Sequence, residues 1–289
     1  MGTRQAASLA TRSKGKLARE EGRSSDLFKT NLTRVAIVIA VLAMWEYFPL
    51  IEWLQKNTFF DPFYISSPSR VAMRLWDMTF GSLSGMLWKH LVVTLEETFV
   101  GLIVGILSGF LIGVWLSQNR FLANAFEPFI LAVNSLPRLV MIPLVTIVFG
   151  FGFTSKVVMV WLMVFFLVFF NTFQGGRSIE RYYVDSCRIL GASDLQLMKT
   201  LIIPNALAWA FASLPNAVSF ALISAVLAEY IGGNVGIGYM IIIALSSLDA
   251  TNLMVTMVVL GVCGVALSQA ARFVERRLLA WRPENRTMA

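Results

Sequence analysis

The sequence predicts an all-α, polytopic membrane protein with six transmembrane helices and a compact polar elbow between the fourth and the fifth. Three observations lead there. Hydrophobic residues make up 57% of the 289 and charged residues only 14%, and the mean hydropathy of +0.69 is too high for a chain wetted on all sides. The apolar residues gather in runs close to the length of about 20 that crosses a bilayer as a helix. One stretch between two such runs, residues 179–204, concentrates polar side chains and helix-boundary signals.

Residues 1–34 carry Arg4, Arg12, Lys14, Lys16, Arg19, Arg23, Lys29 and Arg34 against three acids. A cleavable signal would place its apolar core nearer the start, so this segment is expected to be a retained, flexible cytoplasmic tail. It sets topology as a solvated extension, with contact to anionic lipid as the alternative. The membrane domain then covers 35–289.

The first span is expected at 35–51. Beyond it Trp53, Phe59, Phe60 and Tyr64 precede a Ser67-Pro68-Ser69-Arg70 helix start and an amphipathic VAMRLWDM turn, the pattern of an interfacial helix. The second span, 91–116, places Gly101, Gly105, Gly109 and Gly113 at strict four-residue spacing, a stripe that lets another helix approach closely. The third, 128–149, holds Asn134, Pro137, Arg138 and Pro143; two prolines free backbone carbonyls, which a bilayer tolerates only against protein or a watery path. The fourth, 157–173, leads into the elbow. There Gly191 ends one helix, and Ser193 followed by Gln196 forms a capping box that starts the next. The fifth and sixth spans are expected at 206–230 and 253–273.

Charge orients these spans. If the N-terminus, the 117–127 connection, the stretch from Arg177 to Pro204 and the C-terminus are cytoplasmic, they hold eight, one, four and five Lys or Arg, which is eighteen of the twenty-four. That satisfies the positive-inside rule and puts both termini and the elbow in the cytoplasm.

Several stretches resemble one family. Gly191-Ala192, with Ile202-Ile203-Pro204 after it, is similar to the cytoplasmic loop of ATP-binding cassette importer permeases. YISSPSRV, SLPRLVMIPLVTIVFGFGFTSK and AEYIGGNVGIGYMI resemble other segments of their nitrate, sulfonate and taurine branch, so the likeness covers about residues 64–283. Asp185, Ser186 and Cys187 stand where Glu, Ala and Ala are usual. The resemblance implies that the elbow is a coupling helix seated in a groove of an ATPase, with Asp185, Ser186, Cys187, Gly191, Ala192, Ser193, Asp194 and Pro204 shaping the contact. It further implies a second copy of the chain, two ATP-binding cassette ATPase subunits that hold ATP and Mg, an extracytoplasmic solute-binding protein, and a bacterial inner membrane. The solute would be small and anionic or organic.

Catalysis finds little support. The one histidine, His90, falls at a membrane boundary where an interfacial role is expected, and no phosphate-cradling Gly-rich Lys-Ser/Thr loop is present. The two cysteines, Cys187 in the elbow and Cys263 in an apolar run, share no motif, so neither a metal nor a disulfide is expected, and the chain itself carries no cofactor. A helix pair tethered to a bilayer at both ends does not enter a DNA groove, which sets nucleic acid aside. The polar residues within spans are the remaining candidates, because each is costly in lipid. Arg138 either lines a pathway that favours anions or pairs with Glu96, Glu97 or Glu229. Asn134, Pro137, Pro143, Asn171, Gln174, Asn216, Ser219 and Glu229 are the other pathway candidates, with interhelical hydrogen bonding as the alternative. The run Phe165, Phe166, Phe169 and Phe170 is expected to face lipid. An ion-coupled transporter is the alternative reading, although such proteins usually carry mid-membrane acids and a repeated half.

Overall fold

The computed structural model describes residues 29–47, 66–118, 120–135 and 140–280, and among these no strand occurs. The chain divides into two units, 1–72 and 73–289. In the first, helix α1 (residues 29–47) presents Glu46, whose carboxylate accepts from the Ser69 N–H at 3.0 Å and from Ser69 Oγ at 2.7 Å. The acid thereby serves an otherwise orphaned donor at the start of α2 (Pro68–Thr79).

The second unit is a helical bundle. Its elements are α3 (Met86–Gln118), α4 (Arg120–Ser135), α5 (Met141–Phe149), α6 (Phe153–Arg177), α7 (Arg181–Ile189), α8 (Asp194–Leu197), a π-helical turn at Met198–Ile202, α9 (Ile203–Ala212), α10 (Leu214–Gly232), α11 (Ile237–Ser246) and α12 (Ala250–Leu278). Among the described residues, five helical stretches are long and apolar enough to cross a membrane: α3, α6, residues 194–212, α10 and α12.

The broadest contact is between α3 and α6. The four glycines of α3 lie along it: a Cβ at Gly101 would stand 2.5 Å from Val160 Cβ, one at Gly105 2.7 Å from Val164 Cβ, one at Gly109 2.8 Å from the Phe165 carbonyl oxygen and one at Gly113 2.8 Å from Thr172 Cβ. Both helices step by four in the same direction, so they run parallel and their backbones meet with no room for a side chain. Val160, Val164 and Val168 continue into a core with Ala210, Ala217, Ala221 and Ala225 from α9 and α10.

Two expectations are revised. The third span, expected at 128–149, is described only as α4 up to residue 135 and as α5 from Met141, with Pro143 in the first turn of α5, where a missing N–H breaks no bond; residues 136–139 lie outside the described residues. The fifth, 206–230, is interrupted at Ser213, because Pro215 in the first turn of α10 has no N–H and its ring crowds the carbonyl four residues back. Phe169, expected to face lipid, is buried against Leu116, Ala123 and Phe173, while Phe165, Phe166 and Phe170 are half-buried. The first span, expected at 35–51, is described only to residue 47.

Candidate functional site

The bundle has one chemically distinctive region at each end of α6. At its C-terminal end the chain turns through the polar corner. Helix α7 ends in a Schellman pair, with the Ala192 N–H donating to the Cys187 carbonyl at 3.0 Å and the Gly191 N–H to the Arg188 carbonyl at 2.9 Å. This geometry requires a left-handed residue, and Gly191 has φ 84°. Ser193 then caps α8: its Oγ accepts from the Gln196 N–H at 3.4 Å, and the Gln196 side chain accepts from the Ser193 N–H at 2.8 Å. Arg188 reaches across to Asp194 at 3.2 Å.

The turn at Met198–Ile202 is π-helical. The Ile203 N–H donates to the Met198 carbonyl, five residues back, and Pro204, which has no N–H, follows where the ladder returns to α-helical pairing in α9. Asn205 ties the returning leg to the end of α6, its Nδ2 donating to the Gly175 carbonyl at 2.6 Å and to Ser178 Oγ at 2.9 Å. Between corner and bundle lies a cavity of about 980 Å³, lined among others by Arg177, Arg181, Asp185, Arg188, Asp194 and Met198. Asp185, Gly191, Ser193 and Asp194 are exposed, and Ser186, Cys187, Ala192 and Pro204 half-buried. At the tip, two large apolar side chains stand in the open: Ile189 is 86% exposed and Leu190 85%.

At the other end of α6 is a buried polar clasp, whose Lys156, Glu229, Gly236 and Gly238 fall in two of the family-like segments, although its geometry was not readable from them. Lys156 pairs with Glu97 Oε1 at 3.0 Å, the two side chains being 5% and 1% exposed. Four consecutive residues leading into α11 are each held through the backbone. Lys156 donates to the Val235 carbonyl at 3.2 Å, the Gly236 N–H donates to His90 Nδ1 at 2.9 Å, the Ile237 N–H to Thr94 Oγ1 at 2.9 Å and the Gly238 N–H to Glu229 Oε2 at 2.7 Å. Thr94 Oγ1 in turn donates to Glu229 Oε1 at 2.7 Å. Side chains of α3 and α10 thus satisfy donors that a helix start leaves unpaired. Gly236 has φ 120°, and a Cβ there would collide with the Glu229 carboxyl group.

His90, expected to have an interfacial role, is a buried acceptor, 8% exposed, near the start of α3. Glu229, a pathway candidate by sequence, is sealed within the clasp, and Glu97 has Lys156 as its cation. The sequence signal was present in the spacing of His90, Thr94 and Glu97, which lie on the helix face that Gly101 and Gly105 continue. Its partners could not be read from it.

The remaining candidates are scattered. Asn171 bonds its own helix at the Leu167 carbonyl, Ser219 lies 3.2 Å from Ser268 of α12, and Asn216 and Gln174 are exposed. Asn134 sits in α4, Pro143 is exposed, and Pro137 and Arg138 lie outside the described residues. Among the described residues no group of three His, Cys, Asp or Glu could hold a metal ion.

Residues 101–280 match the family described as binding-protein-dependent transport system inner membrane component. The chain is 31% identical to the riboflavin transport system permease protein RibX of Chloroflexus aurantiacus, over 80% of this chain and 86% of that one. It is 28% identical to the formylaminopyrimidine transport permease protein ThiX of Halalkalibacterium halodurans, over 86% and 94%. Among solved structures, a chain of the inward-facing MetNI methionine ABC transporter superposes with a TM-score of 0.58 at 19% identity, covering 67% of this chain and 96% of that one, a likeness of fold.

Proposed function

This chain belongs to the family of binding-protein-dependent transport system inner membrane components, and from that premise we propose that its polar corner is the seat of an ATP-hydrolysing subunit that drives import. Two copies form the pathway, one ATPase docks on each corner, and an extracytoplasmic binding protein delivers the solute. Membership of this family sets aside the ion-coupled alternative.

The observation that carries the coupling role is the pair Ile189 and Leu190, exposed at 86% and 85% at the tip of a corner that its own caps hold rigid. The same corner exposes Arg188, Asp194, Gln196 and Lys199, polar side chains that suit water rather than lipid. An apolar tip with a polar rim, presented to water on a fixed support, is the surface of a protein contact. The positive charge of the corner and of the α12 end, where Arg276 and Arg277 occupy the last turn, supports a cytoplasmic location for both. The solute is small and organic or anionic; the names of the riboflavin and formylaminopyrimidine relatives favour an organic one.

The test replaces Ile189 and Leu190 together by Asp. Copurification of the ATPase with the chain should fall at least about tenfold, since burying two carboxylates in an apolar contact costs well over the roughly 1.4 kcal/mol of one decade. Undiminished copurification and ATP hydrolysis in proteoliposomes would remove the corner from the coupling pathway.

A further inference from the structure

The clasp at the far end of α6 has no role in the coupling just described, yet it is the most completely buried polar assembly among the described residues. Glu97, Glu229 and Thr94 are fully buried. We propose that it is the remote anchor of the transmission: it fastens the segment from Gly233 to the end of α11 to the helices that run down to the corner, so that this segment moves as one body with them. The proposal rests on the coupling role assigned to the corner above.

Three features carry it. The first is completeness: the Val235 carbonyl and the N–H groups of Gly236, Ile237 and Gly238 are each taken by a different buried side chain, from α6, α3, α3 and α10 respectively. Three of these bonds satisfy first-turn donors of α11, and the fourth, from Lys156 to the Val235 carbonyl, adds a tie that capping does not need. The second is tightness, for Gly236 lies against the Glu229 carboxyl group and Gly238 against the Val226 carbonyl and Glu229 Cβ so closely that neither has space for a Cβ, which fixes the approach as well as the bonding. The third is placement. Lys156 stands in the first turn of α6 and Arg177 at its end, about 30 Å apart at 1.5 Å per residue, and the glycine face of α3 locks that helix to α6 between the two. A displacement at the corner therefore reaches the clasp through two helices that cannot slide past each other.

Helix α11 itself is too short to cross a bilayer, at ten residues. It is apolar and held at its N-terminal end by side chains of other helices. Its position is thus decided by the clasp and by packing on α10 and α12. Breaking one link should free it while leaving the corner intact.

The experiment uses the full complex in vesicles, with Cys263 replaced by Ser and Cys187 by Ala, the residue usual at that position of the family's loop, once ATPase copurification equal to that of the unaltered chain has shown this background intact. Spin labels are placed at Leu195→Cys in the corner or at Leu245→Cys on α11, both exposed positions. Distances between the two copies are read with and without ATP and vanadate. In the parent, both labels should shift. Thr94→Val removes the hydroxyl that links Glu229 to the Ile237 N–H and keeps the shape of the side chain. In that variant the corner label should shift as before, while the α11 label should lose at least half of its shift or broaden across both states. An unchanged response at both labels would overturn the proposal. An equal loss at both would overturn it too, by showing that Thr94 only stabilises the bundle. If Thr94→Val assembles poorly, His90→Asn, which removes a different link, is read the same way. A parent whose corner label moves while its α11 label stays still refutes the anchor alone. A parent whose corner ignores ATP refutes the coupling role on which the anchor rests.

Discussion

Replacing one glycine of the α3 stripe by alanine adds a single carbon, and the structure says where it would go. At Gly105 that carbon falls 2.7 Å from both Cβ and Cγ1 of Val164, against the roughly 3.5–4.0 Å at which carbon atoms rest. The helices must part by about 1 Å, and a gap of that size forfeits a quarter to a half of each neighbouring contact. Val164 cannot turn aside, because a β-branched side chain in a helix has essentially one rotamer. Overpacking of this kind typically costs about 1–3 kcal/mol. At about 2–4 °C per kcal/mol for a domain of this size, Gly105→Ala should lower the melting temperature by several degrees, and Gly105→Leu by more. At Gly109 the obstacle is the Phe165 carbonyl, which is backbone and yields still less, so Gly109→Ala should be at least as damaging. Gly261 in α12 is the internal control, since a Cβ there meets no heavy atom within 4 Å. Gly261→Ala should leave melting unchanged or raise it, by up to about 1 kcal/mol from helix propensity. Melting of purified protein in detergent, followed by loss of the monodisperse chromatographic peak, reads all four. A Gly105→Ala protein that melts with the parent, or a Gly261→Ala protein that falls equally, would refute the close-approach argument.

Gly191→Val forces a β-branched residue to φ 84°; the corner should refold in another shape and ATPase copurification drop severalfold with chain abundance in the membrane unchanged, so full copurification would mean that the Schellman turn is dispensable. Lys156→Met leaves Glu97 buried without its cation, a change that typically costs about 3–5 kcal/mol. Its melting loss should be largely recovered by adding Glu97→Leu, and failure of the double variant to recover would show that the pair is not the source. Arg138→Gln separates the two readings of that residue: lowered uptake with normal melting supports a pathway role. A large melting loss rescued by neutralising Glu96 would instead identify a buried pair.

Much of the fold was legible in the sequence because its determinants are close together along the chain. The corner is the clearest case: Cys187, Arg188, Gly191, Ala192, Ser193 and Gln196 interact within five residues of one another, so the turn and both its caps follow from local geometry. The stripe from Gly101 to Gly113 declared a close helix contact by its period, since every fourth residue returns to one face. What only the tertiary structure decided is which distant groups meet. Thr94 and Glu229 are 135 residues apart, Gly236 and His90 146; no propensity or period joins them, and each taken alone reads as a polar residue near the end of an apolar run. Phe169 was misplaced for the same reason, because a ring of phenylalanines looks alike on every face until a neighbour covers one. The break at Ser213 lies between these cases. Prolines mark the possibility of a break, but whether a helix bends or ends there depends on what can bond the freed carbonyls, and that is settled by packing across the bundle.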